Sequence, residues 1–508
     1  MSAVKTTRDL VLGFYAWICS NLFCFLSPLS QFIFQPHVQK LKLPIIELKS
    51  DDNVREILHA QWSRNKHEKY IIQLPFRKIH VLPIEYLSDY GWKKDDEISS
   101  NIDLRERILG RWTLLGSMTP MKPGDRTHSA VSYIKDYMTK NMSTYSNAMH
   151  DEIGNALEKN IGSSPTWKGL SAYQLGIEIN LEVFERVFVG LDLCRNDDWR
   201  AACKGFSTSA IQTAAILMGY SWWKRPLAAP FVKEYRELKK HITKLQAHLD
   251  TLLNARLSHG KAQHSDGGEP PKDFIDWWLD NAPKAKREDS YALTLGMIQL
   301  NIAGIQSTGM VVMQALFDLA SRPEYTTALL SELSHVTHST GSTELTPSSI
   351  SKLVKLDSFL KESQRHVSQN LLSIYRKVIT PLTLKDGTVL PANSYVAVPS
   401  IDPEARPHAV TRDFDGFRWE KMRSQPGNEQ KFTTVASGID ALEFGYGVHA
   451  CPGRFFAMNT VKATLAEILR RYEMRMPSAG EQVTHKYNRI LVLVPMKEQV
   501  VEFRDRKE

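Results

Sequence analysis

The sequence predicts one large, mostly helical domain with a minor β component, preceded by an amino-terminal membrane anchor. Its composition, with 42% apolar and 24% charged residues among 508, is typical of a folded globular protein. No low-complexity linker or internal repeat divides the chain into separate modules. Apolar residues recur at helical spacing through the middle of the chain, and one uncharged run near the amino terminus is long enough to span a bilayer.

The predicted anchor is the run from Leu10 to Phe34, which contains no charged side chain. As a helix it would reach about 37 Å, more than the roughly 30 Å of a bilayer core. No small-residue cleavage site follows it, which favours a retained anchor over a cleaved signal peptide or a buried core helix. We therefore expect residues 1–36 to form the anchor and residues 37–508 to form the folded domain.

Local patterns predict the elements of that domain in chain order. Short apolar runs and turn residues from Leu43 to about Val81 indicate a small sheet near the membrane. Residues 258–290, rich in Gly, Pro, Lys and Asp, are predicted to be a long surface loop with a short element at 274–279. Apolar residues at i, i+3 and i+4 predict four helices, at Met149–Ile161, Leu181–Val189, Pro230–Leu257 and Tyr291–Ala320.

The pattern changes to β after this helical middle. Residues 376–398 have the apolar runs of strands, with Asp386-Gly387 as a hairpin turn. A last helix is predicted from about Phe455 to Tyr472. The expected fold is therefore helical with a small sheet component.

The net charge of +8 comes from 64 Lys and Arg and 56 Asp and Glu that are mixed along the chain. Without a long basic block, nucleic acid is not expected as a partner. A basic surface of this kind can instead attract an acidic protein or anionic lipid headgroups. Five unevenly spaced cysteines do not form a disulfide framework, which fits a reducing compartment.

Cys451 differs from the other cysteines because it stands in a Gly-rich run from Phe444 to Arg454. Gly445 and Gly447 permit backbone conformations closed to other residues and allow the chain to approach a flat ligand closely. A helix starting at Pro452 would point N–H groups and its positive dipole end toward the sulfur, lowering the pKa of the Cys451 thiol. The alternative is an ordinary buried cysteine in a Gly-rich turn.

This run resembles the haem-binding signature of the cytochromes P-450, which it matches at Phe444, Gly445, Gly447, His449, Cys451 and Gly453. The resemblance implies haem b (iron protoporphyrin IX) as the cofactor, with Cys451 as the axial ligand of the iron. A thiolate ligand donates electron density and favours O–O cleavage. Phe444 is implied to pack near the sulfur side of the haem, and His449 to hydrogen-bond a propionate.

Glu362 and Arg365 form an i, i+3 pair, which alone is commonplace on a helix. They stand where the same family places its Glu-x-x-Arg helix, and Arg418 stands where the family supplies a third partner. The resemblance implies that the three form a buried ion network beside the haem. Arg376 is implied to bind a haem propionate, with a plain surface arginine as the alternative.

The residues between this helix and Arg376 are implied to line the substrate cavity: Leu371, Leu372, Ser373 and Ile374. The earlier helix that usually offers a Trp or Arg to the propionates is not recognisable, and Lys135 is the candidate there. The first half of the chain carries few specific motifs of the family.

The run from Ala303 to Thr308 resembles the family's oxygen-binding motif in its central helix. Gly304 belongs to the small pair that leaves room for oxygen beside the iron. The usual acid is replaced by Gln306, an amide that cannot ionise. The hydroxyl of Ser307 or Thr308 is then expected to handle the proton, although helix hydroxyls also commonly bond the carbonyl one turn back.

The resemblance implies a monooxygenase that inserts oxygen from O2 into an apolar substrate, similar to fungal enzymes that oxidise terpenoids and related secondary metabolites. No flavin or dinucleotide fingerprint appears in the sequence, so electrons from NADPH would come through a separate reductase, with cytochrome b5 as a second candidate donor. An endoplasmic reticulum anchor with the domain facing the cytosol is expected. Two alternatives remain open: a haem-thiolate isomerase or dehydratase that needs no external electrons, and a non-catalytic haem carrier or sensor.

Overall fold

The structure is a computed structural model that describes residues 43–48, 53–64, 67–74, 76–115, 130–259, 273–340, 345–400, 413–478, 483, 485–487, 491–494 and 497–507. The predicted anchor, residues 1–36, lies outside these described residues, as does part of the predicted surface loop, residues 260–272.

Helices dominate the described residues. The longer ones are α1 (Val54–Arg64), α2 (Ser100–Arg107), α3 (Ser146–Asn160), α4 (Ala172–Phe188), α5 (Asp197–Met218), α6 (Lys233–His259), α7 (Phe274–Asn281), α8 (Ser290–Asn301), α9 (Ser307–Ser321), α10 (Thr326–Thr340), α11 (Val354–His366) and α12 (Arg454–Arg471). A π-helical turn, Ile302–Gln306, joins α8 to α9, and the three together form the central helix, residues 290–321. Shorter helical turns include Leu87–Tyr90, Gly110–Thr113, Ala130–Ser132, Tyr133–Met138, Leu191–Cys194, Arg225–Ala228, Pro347–Ser351, Arg418–Arg423 and Gly447–His449.

The strands form two sheets and one short hairpin. They are β1 (Ile45–Glu47), β2 (Tyr70–Leu74), β3 (Arg77–Val81), β4 (Ile98–Ser99), β5 (Lys168–Ser171), β6 (Leu372–Val378), β7 (Leu382–Thr383), β8 (Val389–Leu390), β9 (Tyr395–Pro399), β10 (Tyr472–Arg475) and β11 (Val500–Asp505). A mixed six-stranded sheet has the order β1-β2-β3-β9-β6-β4, and β10-β11-β5 form a second, antiparallel sheet. The short hairpin β7–β8 turns at Asp386-Gly387, where Gly387 has a φ of +81°.

The central helix lies between the two largest apolar clusters and contributes side chains to both. It is apolar over most of its surface because most of that surface is buried. Among the described residues it has the length and composition to cross a bilayer, yet 67% of its most apolar window is buried inside the protein. At Gly176 and Gly309 it crosses α4 so closely that a Cβ on Gly176 would lie 2.5 Å from the Gly309 carbonyl oxygen.

The prediction of a mostly helical protein with a minor sheet is confirmed. The four predicted helices are present, although α4 begins at Ala172 rather than Leu181. Four of the longer helices were not predicted: α1, inside the segment expected to be a sheet, the short α2, the 22-residue α5, and α10. The periodicity of α5 could have revealed it, because Trp199, Cys203, Phe206, Ala210 and Leu217 recur on one buried face.

Candidate active site

The loop before Cys451 is held by its own backbone. The N–H of Cys451 donates to the Phe444 carbonyl at 2.7 Å, which closes the loop into a compact turn before α12 begins at Arg454. Gly445 and Gly447 have φ angles of +82° and +72°, a region that favours glycine. The two glycines therefore occupy conformations that a side chain would strain.

Gly447 is also required by a close approach. A Cβ at this position would lie 1.9 Å from the carbonyl oxygen of Gly91. Gly447 thus permits a close approach between two stretches of backbone, whereas the sequence predicted a close approach to a flat ligand. The neighbouring contact of Trp92 Nε1 with the Tyr446 hydroxyl, at 3.2 Å, keeps the two segments together.

The Cys451 thiol lies at the start of α12, as predicted, but its pKa differs from the expectation. Burial raises the pKa of the Cys451 thiol, while the N–H groups of Gly453 and Arg454 and the Arg454 charge act in the opposite direction. The predicted lowering is therefore wrong for the protein by itself, because desolvation outweighs the helix N–H groups. A metal cation at the sulfur would reverse this balance, since a coordinating thiol is deprotonated.

A cavity of about 430 Å³ lies between the Cys451 loop and the central helix. Phe444, Cys451 and Phe456 line one side, and Gly304 and Thr308 line the opposite side. Further lining comes from earlier elements: Val131, Ile134, Met138, Phe184 and Phe188. The cavity is thus apolar with a few polar groups, as ligand sites usually are.

The π-helical turn shapes the central-helix wall of this cavity. A π turn widens the helix locally and is often found at functional sites. Gly304 lies within it and packs against a ring from α4, since a Cβ there would lie 2.1 Å from Phe184 Cε1. Any larger residue at 304 would therefore displace Phe184 or move into the cavity.

The two hydroxyls after the π turn have different surroundings. Ser307 Oγ donates to the Ala303 carbonyl at 2.8 Å, which is the helix-carbonyl alternative considered from the sequence. Thr308 is 4% exposed and lines the cavity, and its hydroxyl makes no hydrogen bond to the residues that the structure describes. The Thr308 hydroxyl therefore remains available to donate a hydrogen bond into the cavity.

Gln306 is fixed by a residue that the sequence did not indicate. The Tyr173 hydroxyl of α4 donates to Gln306 Oε1 at 3.1 Å. This contact commits the amide oxygen and leaves the Nε2 hydrogens to donate elsewhere. No local pattern links positions 173 and 306, because only the crossing of α4 and the central helix brings them together.

Glu362, Arg365 and Arg418 meet in one buried network, as the resemblance implied. Glu362 is 0% exposed and accepts two bonds from Arg365, at 2.7 and 2.8 Å, and one from Arg418 at 3.4 Å. It also accepts from the Asp415 N–H and Trp419 Nε1, both at 3.0 Å. The carboxylate is thus fully satisfied, which a buried charge requires.

Arg376 and His449 line a second, smaller cavity of about 200 Å³ beside the cysteine loop, together with Gly445 and Arg107. Arg376 is buried, and burial lowers the pKa of its guanidinium. His449 Nε2 lies 3.0 Å from Asp95 Oδ1, and His449 contributes to lowering the pKa of the Asp95 carboxyl against the effect of burial. Arg107, which the sequence did not indicate, adds a second guanidinium group beside that of Arg376.

The four predicted lining residues do not share one environment. Ser373 lines both cavities, whereas Leu372 and Ile374 line only the smaller one. Leu371 lines neither cavity, because its side chain packs in the apolar cluster over the six-stranded sheet. The start of β6 is irregular, with a register shift between Ser373 and Arg376 and a φ of +55° at Ile374, so simple strand alternation does not decide which of these side chains reach a cavity. Lys135 is exposed and lines neither cavity.

These residues fit a haem. The larger cavity provides an apolar slot with a thiol on one face, and the smaller one provides basic groups suited to two propionates. Arg376 is buried and forms no ion pair with a carboxylate of the described residues, so its charge is one that a bound carboxylate would satisfy. Cys451 would hold the iron, and Arg376, His449 and Arg107 would hold the propionates.

Comparison with known proteins agrees with this geometry. The sequence profile described as Cytochrome P450 matches residues 124–503. The chain is 31% identical to the cytochrome P450 monooxygenase BOA4 of Botryotinia fuckeliana (strain B05.10), over 86% of each chain. It is 30% identical to the cytochrome P450 monooxygenase BOA7 of the same organism, over 97% of this chain and 94% of that relative.

A solved structure shares the fold. The crystal structure of a cytochrome P450 (CYP102L1) superposes with a TM-score of 0.67 at 17% identity, covering 92% of this chain and 100% of that one. The profile spans more than half of the sequence and includes the Cys451 loop, so the fold and the loop indicate the same family. The chain belongs to the cytochrome P450 family and is a haem-thiolate monooxygenase.

Proposed function

We propose that this monooxygenase inserts one atom of O2 into an unactivated C–H or C=C bond of an apolar substrate, a terpenoid or related fungal secondary metabolite. The observation that carries the proposal is the cavity that extends from Cys451 to Thr308 with mostly apolar walls. The relatives named as monooxygenases come from fungi, which supports the fungal biosynthetic assignment. Electrons from NADPH arrive through a separate reductase, with cytochrome b5 as a second donor.

The chain's own residues have separate tasks in this reaction. Haem, when bound through Cys451, supplies the activation of O2. Phe184, Phe188 and Met138 present apolar surface that favours an apolar substrate and excludes water. Tyr173 holds Gln306 so that its Nε2 can position a water, and Thr308 offers the proton of its Oγ1 hydroxyl into the cavity.

The substrate can be found by expressing the chain beside its reductase and comparing metabolites with those of a deletion strain. Accumulation of a less oxidised apolar compound in the deletion strain is expected, together with its NADPH-dependent conversion by the purified enzyme. Turnover without NADPH or reductase would instead establish the isomerase or dehydratase alternative. Iron-thiolate ligation without any substrate-induced spectral change would indicate a haem carrier.

Loss of the Thr308 hydroxyl is expected to uncouple the enzyme more than loss of the Ser307 hydroxyl. Ser307 already donates to Ala303, whereas Thr308 has its donor available. Thr308→Ala should therefore lower product formed per NADPH severalfold and divert reducing equivalents to peroxide, with haem content unchanged. Ser307→Ala should change this coupling little. Equal coupling in wild type and Thr308→Ala would show that Thr308 does not deliver the proton. Equal coupling in the double Ala variant would show that neither hydroxyl does and that water or substrate delivers it.

Membrane attachment through residues 1–36 in the endoplasmic reticulum is part of the proposal, with the catalytic domain facing the cytosol. A second contact is supported by an exposed apolar patch made by Trp222, Trp223, Leu227 and Phe231, of which Phe231 is 84% exposed. The two tryptophans are 50% and 46% exposed, so they do not belong to the packed core. Aromatic side chains of this kind favour the lipid–water interface.

Deletion of residues 1–36 should release most, but not all, of the protein from microsomal membranes. The retained fraction should fall further when Leu227→Ser and Phe231→Ser are added, because the apolar patch then loses its area. Sedimentation after a high-salt wash measures both effects. A truncated protein that stays wholly membrane-bound would contradict a single anchor, and an unchanged retained fraction in the patch variant would contradict the second contact.

A further inference from the structure

A pocket of about 320 Å³ lies outside the active site, between β3, α2 and the helical turns Gly110–Thr113 and Arg225–Ala228. Its charged lining residues are Arg77, Arg105, Glu106, Arg111 and Arg225. The rest of the wall is mainly aromatic and aliphatic, from Phe76, Leu109, Trp112 and Tyr395. Four guanidinium groups therefore converge on one pocket with a single carboxylate.

The carboxylates in this region already have partners. Glu106 accepts from Lys377 Nζ at 2.7 Å and from the Tyr395 hydroxyl at 2.6 Å. Asp103, buried beside Arg77, accepts from Arg77 Nη1 at 2.6 Å and from Arg107 Nε at 3.3 Å. The pocket consequently keeps a surplus of positive charge.

Two of the arginines are held in place with donors to spare. Arg225 Nε donates to the carbonyls of Leu217 and Tyr220 at 3.0 and 3.1 Å, while its terminal nitrogens bond none of the residues that the structure describes. Burial lowers the pKa of the Arg225 guanidinium. Arg77 is 8% exposed, and its Nε and Nη2 lack a hydrogen-bond partner in the described part of the chain. An anion would stabilise such half-desolvated cations.

The pocket adjoins the segment that carries the apolar patch. Arg225 lies in sequence between Trp223 and Leu227, two members of that patch. Leu109 and Trp112, which line the pocket, also pack on the small apolar cluster under the same segment. A ligand with an anionic head and apolar chains could therefore use both surfaces together.

The geometry points to this arginine pocket as a binding site for the phosphate of an anionic membrane phospholipid, with the acyl chains of that lipid on the apolar patch. Guanidinium groups pair phosphate oxygens through two parallel N–H bonds, which favours phosphate in a pocket of this composition. The inference rests on the proposed membrane contact of the patch. A free phosphate would use the arginines but not the patch, which separates the two sources.

The test uses the full chain in neutral detergent and calorimetric titration with three probes: short-chain phosphatidic acid, phosphatidylcholine of the same chain length, and inorganic phosphate. The pocket variant is Arg105→Gln with Arg111→Gln. The control, Arg471→Gln with Arg475→Gln, removes the same charge from two exposed arginines that do not line the pocket. The patch variant is Leu227→Ser with Phe231→Ser, and an unchanged carbon-monoxide spectrum verifies folding of each variant.

Phosphatidic acid should bind the wild type and the control at least tenfold more tightly than the pocket variant, and more tightly than phosphatidylcholine. The patch variant should lose affinity for phosphatidic acid but not for inorganic phosphate, so failure of the membrane contact and failure of the arginine site are distinguishable. Equal affinity in the wild type and pocket variant, or an equal loss in the control, would overturn the inference. Inorganic phosphate binding as tightly as the lipid would assign the pocket to a free anion instead.

Discussion

Replacing Cys451 with His is expected to abolish both monooxygenation and the strongly red-shifted Soret band of the reduced carbon-monoxide complex. That band requires a thiolate donor at the iron, and Cys451 is the described cysteine that lines the cavity between the loop and the central helix. Imidazole can still ligate iron, so we expect Cys451→His to retain haem but to lack the red-shifted band. Absorbance difference spectra and product formation with reductase measure the two losses.

A matched control separates ligation from the general loss of a buried thiol. Cys194 is also buried, but it lies after α4 and lines neither cavity near the loop. Cys194→Ala should therefore keep the red-shifted band and full activity, with at most a small loss of stability. A normal thiolate spectrum in Cys451→His would show that another residue holds the iron.

Replacing Glu362 with Gln should destabilise the fold more than any other single charge change in the network. The amide is nearly isosteric, but it leaves Arg365 buried beside a neutral partner and turns one acceptor into a donor that faces either Trp419 Nε1 or the Asp415 N–H, depending on how the amide is oriented. Breaking a buried ion pair in this way costs about 3–5 kcal/mol of the free energy of unfolding. Denaturant unfolding followed by circular dichroism, beside haem content, measures the change.

Two comparison variants show whether burial is the cause. Glu420, on the same short helix as Arg418, forms a more exposed ion pair with Lys355 of α11. Glu420→Gln should therefore lower the free energy of unfolding by about 1 kcal/mol or less. Arg418→Gln removes the longer and less buried contact to Glu362, and its effect should fall between those of Glu420→Gln and Glu362→Gln. Similar stability of all three variants would mean that the network contributes no more than surface ion pairs do.

Local sequence determined the features that depend on neighbouring residues along the chain. The glycines before Cys451 have positive φ angles because the tight turn is local, and Glu362 and Arg365 meet because they lie one helical turn apart. The central helix was recognisable from its composition, since a mostly buried helix is mostly apolar. The short, charged α2 offered no comparable signal, and Arg107, at its end, was missed for that reason.

The sequence by itself thus determined the family, the cysteine loop and the class of reaction. Only the tertiary structure distinguished Thr308 from Ser307, paired Tyr173 with Gln306, excluded Leu371 from the cavity walls and placed Arg225 and Arg77 in one pocket. Each of these depends on contacts between residues far apart in the chain, which periodicity and spacing do not encode. The pKa of the Cys451 thiol is decided in the same way, because desolvation is set by everything packed around the sulfur and not only by the helix that follows it.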